Sequence, residues 1–231
     1  MTTIAMGIWG FGAAKSEPLC YKARMQPLLE HFGVSVGAIT GVLAARGKQV
    51  DLFGVIVLAL VTSLGGGTLR DMLIDCPVFW TRDQSFLINA TVTAVVSFYL
   101  VRIRELPRTV LLVADALALA FFTMLGTRKG LHFHLTPAIS VTMGVITGVA
   151  GGMLRDVLVG EIPLVFRREI YLYATAAFVG SLACVLLGNV PRAAGWSFAV
   201  GFSATLILRL AGIRWRISLP IFRPKSIDSG P

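Results

Sequence analysis

The chain has 231 residues, of which 55% are hydrophobic and only 14% are charged, and its mean hydropathy is +0.78. A soluble domain carries a charge on about a quarter of its residues, so this composition excludes a soluble globular protein and indicates a membrane protein. The formal net charge of +9 does not indicate a nucleic-acid partner, because the basic residues stand singly or in pairs at the ends of apolar runs.

Seven apolar runs in the sequence are predicted to cross the membrane as helices. Each has roughly 16 to 20 residues, which at about 1.5 Å per residue approaches the ~30 Å thickness of a hydrocarbon core. Before them, residues 1–27 are predicted to be a leader that does not resemble a signal peptide, since no charge precedes its short apolar stretch. The predicted spans are residues 28–45, 52–69, 85–101, 110–125, 135–154, 170–187 and 193–208.

The distribution of Lys and Arg predicts the orientation of the chain in the membrane. Without the two arginines of the motif described below, a seven-span arrangement places seven of these residues on one side and twelve on the other. The more basic side is the cytoplasmic one. We therefore predict an external N-terminus and a cytoplasmic C-terminus, with residues 213–231 forming a basic cytoplasmic tail.

Neither a metal site nor a catalytic site is predicted. The cysteines Cys20, Cys76 and Cys184 are scattered without a CxxC spacing, which argues against a disulfide framework or a zinc site. His132 and His134 are more typical of surface residues than of a metal site. Because no combination of nucleophile, base and metal ligands is evident, we expect no enzyme activity and no cofactor.

One stretch of the chain occurs twice. Residues 62–71 read TSLGGGTLRD and residues 147–156 read TGVAGGMLRD, displaced by 85 positions. Extended to residues 62–73 and 147–158, the two copies share seven of twelve positions. Each copy places glycines and then an Arg-Asp pair in an apolar helix, where both are disfavoured unless function or packing requires them.

The same shift of 85 positions relates further residues, so the duplication is larger than the motif. It superposes Glu30 of the first span on Asp115 of the fourth, and Gly41 on Gly126. A unit of three spans that is repeated once must be inverted, because an odd number of crossings starts the second copy from the opposite face. We predict two inverted three-helix repeats, at residues 28–108 and 109–190, and a seventh helix at 191–212.

Acidic and basic residues of each repeat are predicted to pair inside the membrane. An unpaired charge at this depth is costly, so we expect salt bridges between Glu30 and Arg70 and between Asp115 and Arg155. Such pairs are either purely structural or take part in gating, and Glu30 has a further alternative as a carboxylate in the membrane interface. The candidate ion-pair and gating residues are Glu30, Arg70, Asp71, Asp115, Arg155 and Asp156.

The glycines of the motif have two interpretations. Close helix packing is one, since small residues let membrane helices approach. A break in the helix is the other, which would turn freed carbonyls and the hydroxyls of Thr62 and Thr147 toward a cavity suited to a dehydrated alkali cation. The candidate pore residues are Thr62, Ser63, Gly65, Gly66, Gly67, Thr147, Gly148, Gly151 and Gly152.

Two three-span repeats with this signature, followed by a seventh span, resemble the prokaryotic trimeric intracellular cation channels. The resemblance implies a homotrimer in a bacterial inner membrane, with a pore in each protomer lined by kinked second and fifth helices. It further implies potassium or sodium ions and membrane lipids as partners, and no nucleic acid. Ala150 departs from the family pattern, where a third glycine is expected.

The resemblance leaves two functions open. Bacterial members of the family are also labelled as glycine-transporter domains, so the resemblance implies the fold and leaves the permeant open. The first function is a channel for monovalent cations with Thr62 and Thr147 at its constriction. The second is a secondary transporter of glycine or a similar zwitterion, in which a helix N-terminus holds the carboxylate and Glu30 or Asp115 the ammonium.

Overall fold

The structure is a computed structural model that describes residues 26–103, 107–167 and 172–215. Most of the predicted leader and of the predicted basic tail therefore lie outside the described residues. The short turns Leu164–Phe166 and Ala194–Trp196 are 3-10 helices. The α-helices of the described ranges are α1 (Gln26–Ala45), α2 (Leu52–Leu73), α3 (Phe79–Arg82), α4 (Ser85–Ile103), α5 (Arg108–His132), α6 (Pro137–Leu158), α7 (Tyr173–Gly188) and α8 (Ser197–Trp215).

The chain is an all-helical membrane protein. Within the described ranges, six helices are long and apolar enough to span a membrane: α1, α2, α4, α5, α6 and α8 with its preceding turn. The predicted sixth span is the shorter apolar helix α7, of 16 residues, and the predicted start of that span at residue 170 lies outside the described residues. The short helix α3, in the connection after α2, was not predicted.

Helices α2 and α6, which carry the two copies of the motif, begin and end at equivalent positions. The side chain of Asp51 accepts a hydrogen bond from the Gly54 N–H at the start of α2, and Thr136 accepts one from Ile139 N–H at the start of α6. Such side-chain caps satisfy backbone donors that the first turn leaves unpaired. After each helix the chain turns through a left-handed residue, Asp75 or Gly160. Because both helices start and end at positions 85 residues apart, each has 22 residues.

Two groups of helices carry most of the buried apolar side chains. In the first, α1, α2 and α4 enclose a core that includes Val34, Leu58 and Ala90. In the second, α5, α6 and α7 enclose a core that includes Leu119 and Ala177. The groups meet where α2 packs on α6 and α1 on α5, and α8 packs against α5 and α7. The motif helices thus lie at the centre of the molecule.

The predicted helix break at the glycines is wrong. Helix α2 runs without interruption from Leu52 to Leu73, and α6 does so from Pro137 to Leu158. Glycine lowers helix propensity by about 1 kcal/mol relative to Ala, but the missing side chain also lets another helix approach. Close packing compensates the weak propensity, so the alternative interpretation of the glycines describes this conformation.

Candidate ion pathway

Helices α2 and α6 cross in direct backbone contact at the two copies of the motif. A methyl group added at Gly66 would overlap the carbonyl oxygen of Thr147, and one added at Gly151 would overlap the carbonyl oxygen of Thr62. The two contacts are reciprocal, since Gly151 and Thr147 lie 85 positions after Gly66 and Thr62. The crossing thus consists of two threonine carbonyls that each face a glycine of the other helix.

The hydroxyl groups of the two threonines are bound within their own helices. Thr62 Oγ1 donates to the Leu58 carbonyl and Thr147 Oγ1 to the Met143 carbonyl, each at 2.6 Å. Both residues are buried, with 4% and 1% of their surface exposed. A hydroxyl that donates its proton keeps lone pairs on its oxygen, so both oxygens can still accept a further bond. Thr147 Oγ1 lies against Gly126 of α5.

A cavity of about 10 Å³ lies beside the crossing. This volume is about that of one water site, so the crossing is closed to a hydrated ion in the described part of the chain. Side chains from α1, α2, α5, α6 and α7 meet at the cavity. Its lining includes Thr40, Thr62, Asp115, Gly148, Gly151, Gly152, Arg155 and Tyr173.

The other predicted pore residues face neighbours other than the two threonine carbonyls. A side chain at Gly65 would meet the end of Leu154, and one at Gly67 would meet the ring of Phe79. Ser63 donates its hydroxyl to the Ala59 carbonyl at 2.8 Å. Gly65 thus belongs to the contact of α2 with α6, whereas Gly67 packs against α3. Gly148 and Gly152 line the cavity.

The first charge cluster lies near the C-terminal end of α2. Arg70 Nε and Lys129 Nζ bind the same oxygen, Asp71 Oδ1, at 2.7 and 2.8 Å. The other carboxylate oxygen, Asp71 Oδ2, accepts the Phe79 backbone N–H at 3.0 Å. Arg70 and Asp71 are buried. Asp71 thereby joins α2 both to α5 and to the start of α3.

The predicted salt bridge between Glu30 and Arg70 is not formed in the part of the chain that the structure describes. Arg70 turns to Asp71, which Lys129 reaches from α5. Glu30 remains within electrostatic range of Arg70 and Lys129. The prediction failed because it considered only charges inside one repeat, whereas Lys129 comes from the other.

The second charge cluster occupies the equivalent end of α6. Arg155 Nε binds Asp156 Oδ1 at 2.9 Å, and its Nη1 binds Asp115 Oδ1 at 2.8 Å. Asp156 Oδ2 accepts the Leu164 backbone N–H at 2.8 Å, as Asp71 Oδ2 accepts that of Phe79. The predicted pair of Asp115 and Arg155 is therefore confirmed, with all three charged residues buried.

A family model described as glycine transporter matches residues 27–102 and 112–189 of the chain. The matched segments begin 85 positions apart, which is the offset of the duplicated motif. The chain belongs to this glycine transporter family. The UPF0126 inner membrane protein YadS of Escherichia coli K12 is 45% identical over 84% of this chain and 94% of its own length. A UPF0126 membrane protein of Vibrio cholerae is 42% identical over 92% and 95%.

Solved structures show that this member of the glycine transporter family has the fold of the prokaryotic trimeric intracellular cation channels. The channel orthologue from Rhodobacter sphaeroides is 36% identical, with a TM-score of 0.78 over 84% of this chain and 99% of that one. A prokaryotic channel of this type in 0.5 M KCl is 29% identical, with a TM-score of 0.77 over 84% and 98%. The resemblance inferred from the sequence is confirmed.

Two basic residues of this family member belong to the charge clusters but were not predicted. Lys129 lies in the first cluster, and Arg209 of α8 lies 3.7 Å from Asp115 in the second. A search for repeats misses both, because neither belongs to the duplicated motif. Their positions inside or just beyond an apolar run were the available signal. Within the described ranges, no group of His, Cys, Asp and Glu side chains is placed to hold a metal ion.

A third group of charges joins the two repeats at the surface. Lys48, after α1, binds Glu161, after α6, at 2.6 Å, and Arg167 binds the same carboxylate at 3.1 Å. Between 33% and 44% of each side chain is exposed. Water therefore screens these pairs far more than the buried clusters.

Proposed function

We propose that the protein is a homotrimeric, potassium-permeable cation channel of a bacterial inner membrane, with one pore in each protomer between α2 and α6. The observation that carries the proposal is the fold shared with the trimeric cation channel orthologue at 36% identity, over 84% of this chain. The inner-membrane location follows from the description of the relative YadS. Membrane lipids would cover the apolar outer faces of the spans.

The crossing of α2 and α6 is the proposed gate. Thr62 and Thr147 each lie near the middle of a 22-residue helix, which corresponds to the middle of the membrane. Separating the helices would free the carbonyl oxygens of both threonines from the glycines that face them. Carbonyl and hydroxyl oxygens replace part of the hydration shell of an alkali cation. In this proposal, the described conformation is closed.

The two repeats are proposed to be inverted. At the crossing, Thr62 contacts Gly151 and Gly66 contacts Thr147, so α2 and α6 run in opposite directions past each other. Equivalent ends of the two helices, which carry Asp71 and Asp156, then lie on opposite sides of the membrane. This arrangement supports a pore with a charge cluster at either end.

The distribution of basic residues supports a cytoplasmic C-terminus even after a correction. Lys129 and Arg209 were counted as surface residues, but both belong to buried charge clusters. Without them the count is six against eleven, and the more basic side remains the one with the C-terminus. The orientation of the chain therefore stays as proposed from the sequence.

A glycine carrier is the second candidate function, and the name of the family favours it. The fold shared with the cation channels argues for the channel. The cavity beside the crossing, at about 10 Å³, accommodates about one water molecule. Either function therefore requires α2 and α6 to separate in another conformation.

Purified protein in a planar bilayer and in liposomes distinguishes the two functions. With a potassium chloride gradient across the planar bilayer, the proposed channel gives a current that reverses near the potassium equilibrium potential. Labelled glycine should enter liposomes that contain the protein no faster than it enters protein-free ones. Robust glycine uptake without a potassium current would contradict the channel and establish the carrier.

A further inference from the structure

The charges contributed by the two repeats do not balance by themselves. Each repeat places two carboxyl groups and one arginine at its cluster. In the first repeat Asp71 binds Arg70 and Glu30 lies within electrostatic range of it, and in the second repeat Asp115 and Asp156 both bind Arg155. An uncompensated charge is strongly disfavoured at membrane depth. Each cluster therefore requires one more cation.

The additional cations come from different parts of the chain. In the first cluster, the cation is Lys129 of α5, whose side chain is 22% exposed. In the second cluster it is Arg209 of α8, whose side chain is fully buried. Because α8 lies outside both copies of the repeat, the second cluster is complete only when α8 is docked.

Arg209 is held against the second cluster by two features. Its Nη2 lies 3.7 Å from Asp115 Oδ2, and its guanidinium lies 4.5 Å from the centre of the Tyr173 ring. The Tyr173 hydroxyl in turn donates to Asp115 Oδ1 at 3.4 Å. An arginine that stacks on an aromatic ring beside a carboxylate uses both its planar shape and its charge. Arg209 is thus more than a space-filling residue.

The packing of α8 on α7 sets the depth at which Arg209 enters the bundle. A side chain at Gly180 of α7 would overlap the hydroxyl oxygen of Thr205, and one at Gly201 of α8 would meet the Gly180 carbonyl oxygen. Small residues at these positions allow the two helices to approach closely. Arg209, one turn after Thr205, is thereby brought to Asp115.

We propose that Arg209 is a positioning residue that supplies the second positive charge of the Asp115 cluster and so fixes Asp115 at the wall of the cavity beside the crossing. Helix α8 then has a defined role, because it supplies the positive charge in the half of the proposed pore that has no equivalent of Lys129. The effect on ion flux rests on the proposed channel function. The charge balance of the Asp115 cluster does not depend on that function.

A set of variants separates charge from shape. Arg209→Gln and Arg209→Met both remove the charge, and Met retains an apolar chain of similar length. Arg209→Lys retains the charge without the planar group. Arg214→Gln is the matched control, because Arg214 lies in the same helix but is exposed. Asp115→Asn combined with Arg209→Gln removes one negative and one positive charge together.

Thermal unfolding of the trimer in detergent gives the first readout. Leaving a buried charge without its partner is strongly destabilising, so Arg209→Gln and Arg209→Met should each lower the Tm by about 5 to 15 °C. Arg209→Lys should lose less than half of that, and Arg214→Gln should change the Tm by less than about 2 °C. The double variant should recover at least half of the loss. If the single variants fail to fold, recovery of a folded trimer in the double variant is the deciding result.

Potassium flux per folded trimer, measured below every Tm, gives the second readout. Arg209→Gln should reduce the flux at least threefold, and Arg209→Lys should restore it. A Tm of Arg209→Met equal to that of the parent protein would overturn the charge role, as would additive losses in the double variant. If the parent protein carries no potassium current, the proposed function fails, and the Tm series still decides whether Arg209 and Asp115 are coupled.

Discussion

Gly66 of α2 lies directly against the backbone carbonyl oxygen of Thr147 in α6, so that no space remains for a side chain. Gly151 has the same relationship to Thr62 in the opposite direction. The two contacts bring the backbones of the central helices together without any intervening side chain. Contacts of this kind are sensitive to a single methyl group, because neither backbone can move without the other.

Gly66→Ala should therefore destabilise the protein, whereas Gly65→Ala should not. At Gly66 the new methyl overlaps backbone, but at Gly65 it meets only the flexible end of Leu154. Overpacking costs about 1 to 3 kcal/mol, and Ala adds about 1 kcal/mol of helix propensity at either position. Thermal unfolding of both variants measures the difference. Equal Tm values would show that α2 and α6 do not touch in the assembled protein.

The spans and the duplication were predictable from the sequence, because the length of apolar runs and an identical motif are local properties. The pairing of Asp115 with Arg155 was predicted from the same 85-residue shift, which superposes Asp115 on Glu30. The uninterrupted course of α2 and α6 could not be predicted from the sequence, because whether a glycine breaks a helix or lets another helix approach depends on what packs against it. Lys129 was also missed, since its partner Asp71 lies 58 residues away on another helix.

A double-mutant cycle should show that Lys129 is coupled to Asp71 more strongly than Arg70 is to Glu30. The first two residues share a contact of 2.8 Å, whereas the second two interact only at longer range. Residues in direct contact have coupling energies of about 0.5 to 3 kcal/mol. The cycle uses Asp71→Asn with Lys129→Gln, and the control cycle uses Glu30→Gln with Arg70→Gln. Stronger coupling in the control cycle would contradict the described geometry.

The surface pair of Lys48 and Glu161 should contribute little and should depend on salt. More than a third of each side chain is exposed, and such pairs contribute at most about 1 kcal/mol. Lys48→Gln should lower the Tm slightly at low ionic strength and not at all near 1 M salt, where the screening length falls to about 3 Å. Lys129→Gln serves as the comparison, since its loss should persist in salt. A salt-independent effect of Lys48→Gln would contradict the exposure of the pair.

The thiol of Cys76 should react more slowly than an exposed thiol at neutral pH. Burial raises the pKa of Cys76, and this outweighs the neighbouring charge of Lys129, which lowers the pKa. Only the thiolate reacts, so labelling should require more alkaline pH, and Lys129→Gln should slow it further at a fixed pH. The rate is measured from pH 7 to 10 in a variant without Cys20 and Cys184. Faster labelling in Lys129→Gln would reverse the assigned influence of Lys129.

The variant without Cys20 and Cys184 also tests the orientation of the chain in the membrane. With an external N-terminus, Cys76 lies after the second span and faces the periplasm, whereas Gln49, before that span, faces the cytoplasm. An impermeant thiol reagent should label Cys76 in cells with a permeabilised outer membrane. A cysteine introduced by Gln49→Cys, in a chain without the natural cysteines, should react only after lysis. The opposite pattern would reverse the proposed orientation.

Replacing both threonines of the crossing by valine should lower conductance without loss of folding. Valine keeps the shape of Thr62 and Thr147 and removes the hydroxyl oxygens, which donate within their helices but retain lone pairs for a cation. Losing two such ligands at about 0.5 to 1.5 kcal/mol each should reduce potassium conductance by roughly fivefold to a hundredfold. The reversal potential should stay near the potassium value, because the backbone carbonyls remain. Thr142→Val is the control, since this exposed residue of α6 has the same type of hydrogen bond, to Ala138. Single-channel recordings in a planar bilayer measure both quantities, and an unchanged conductance in the double variant would place the constriction away from the two threonines.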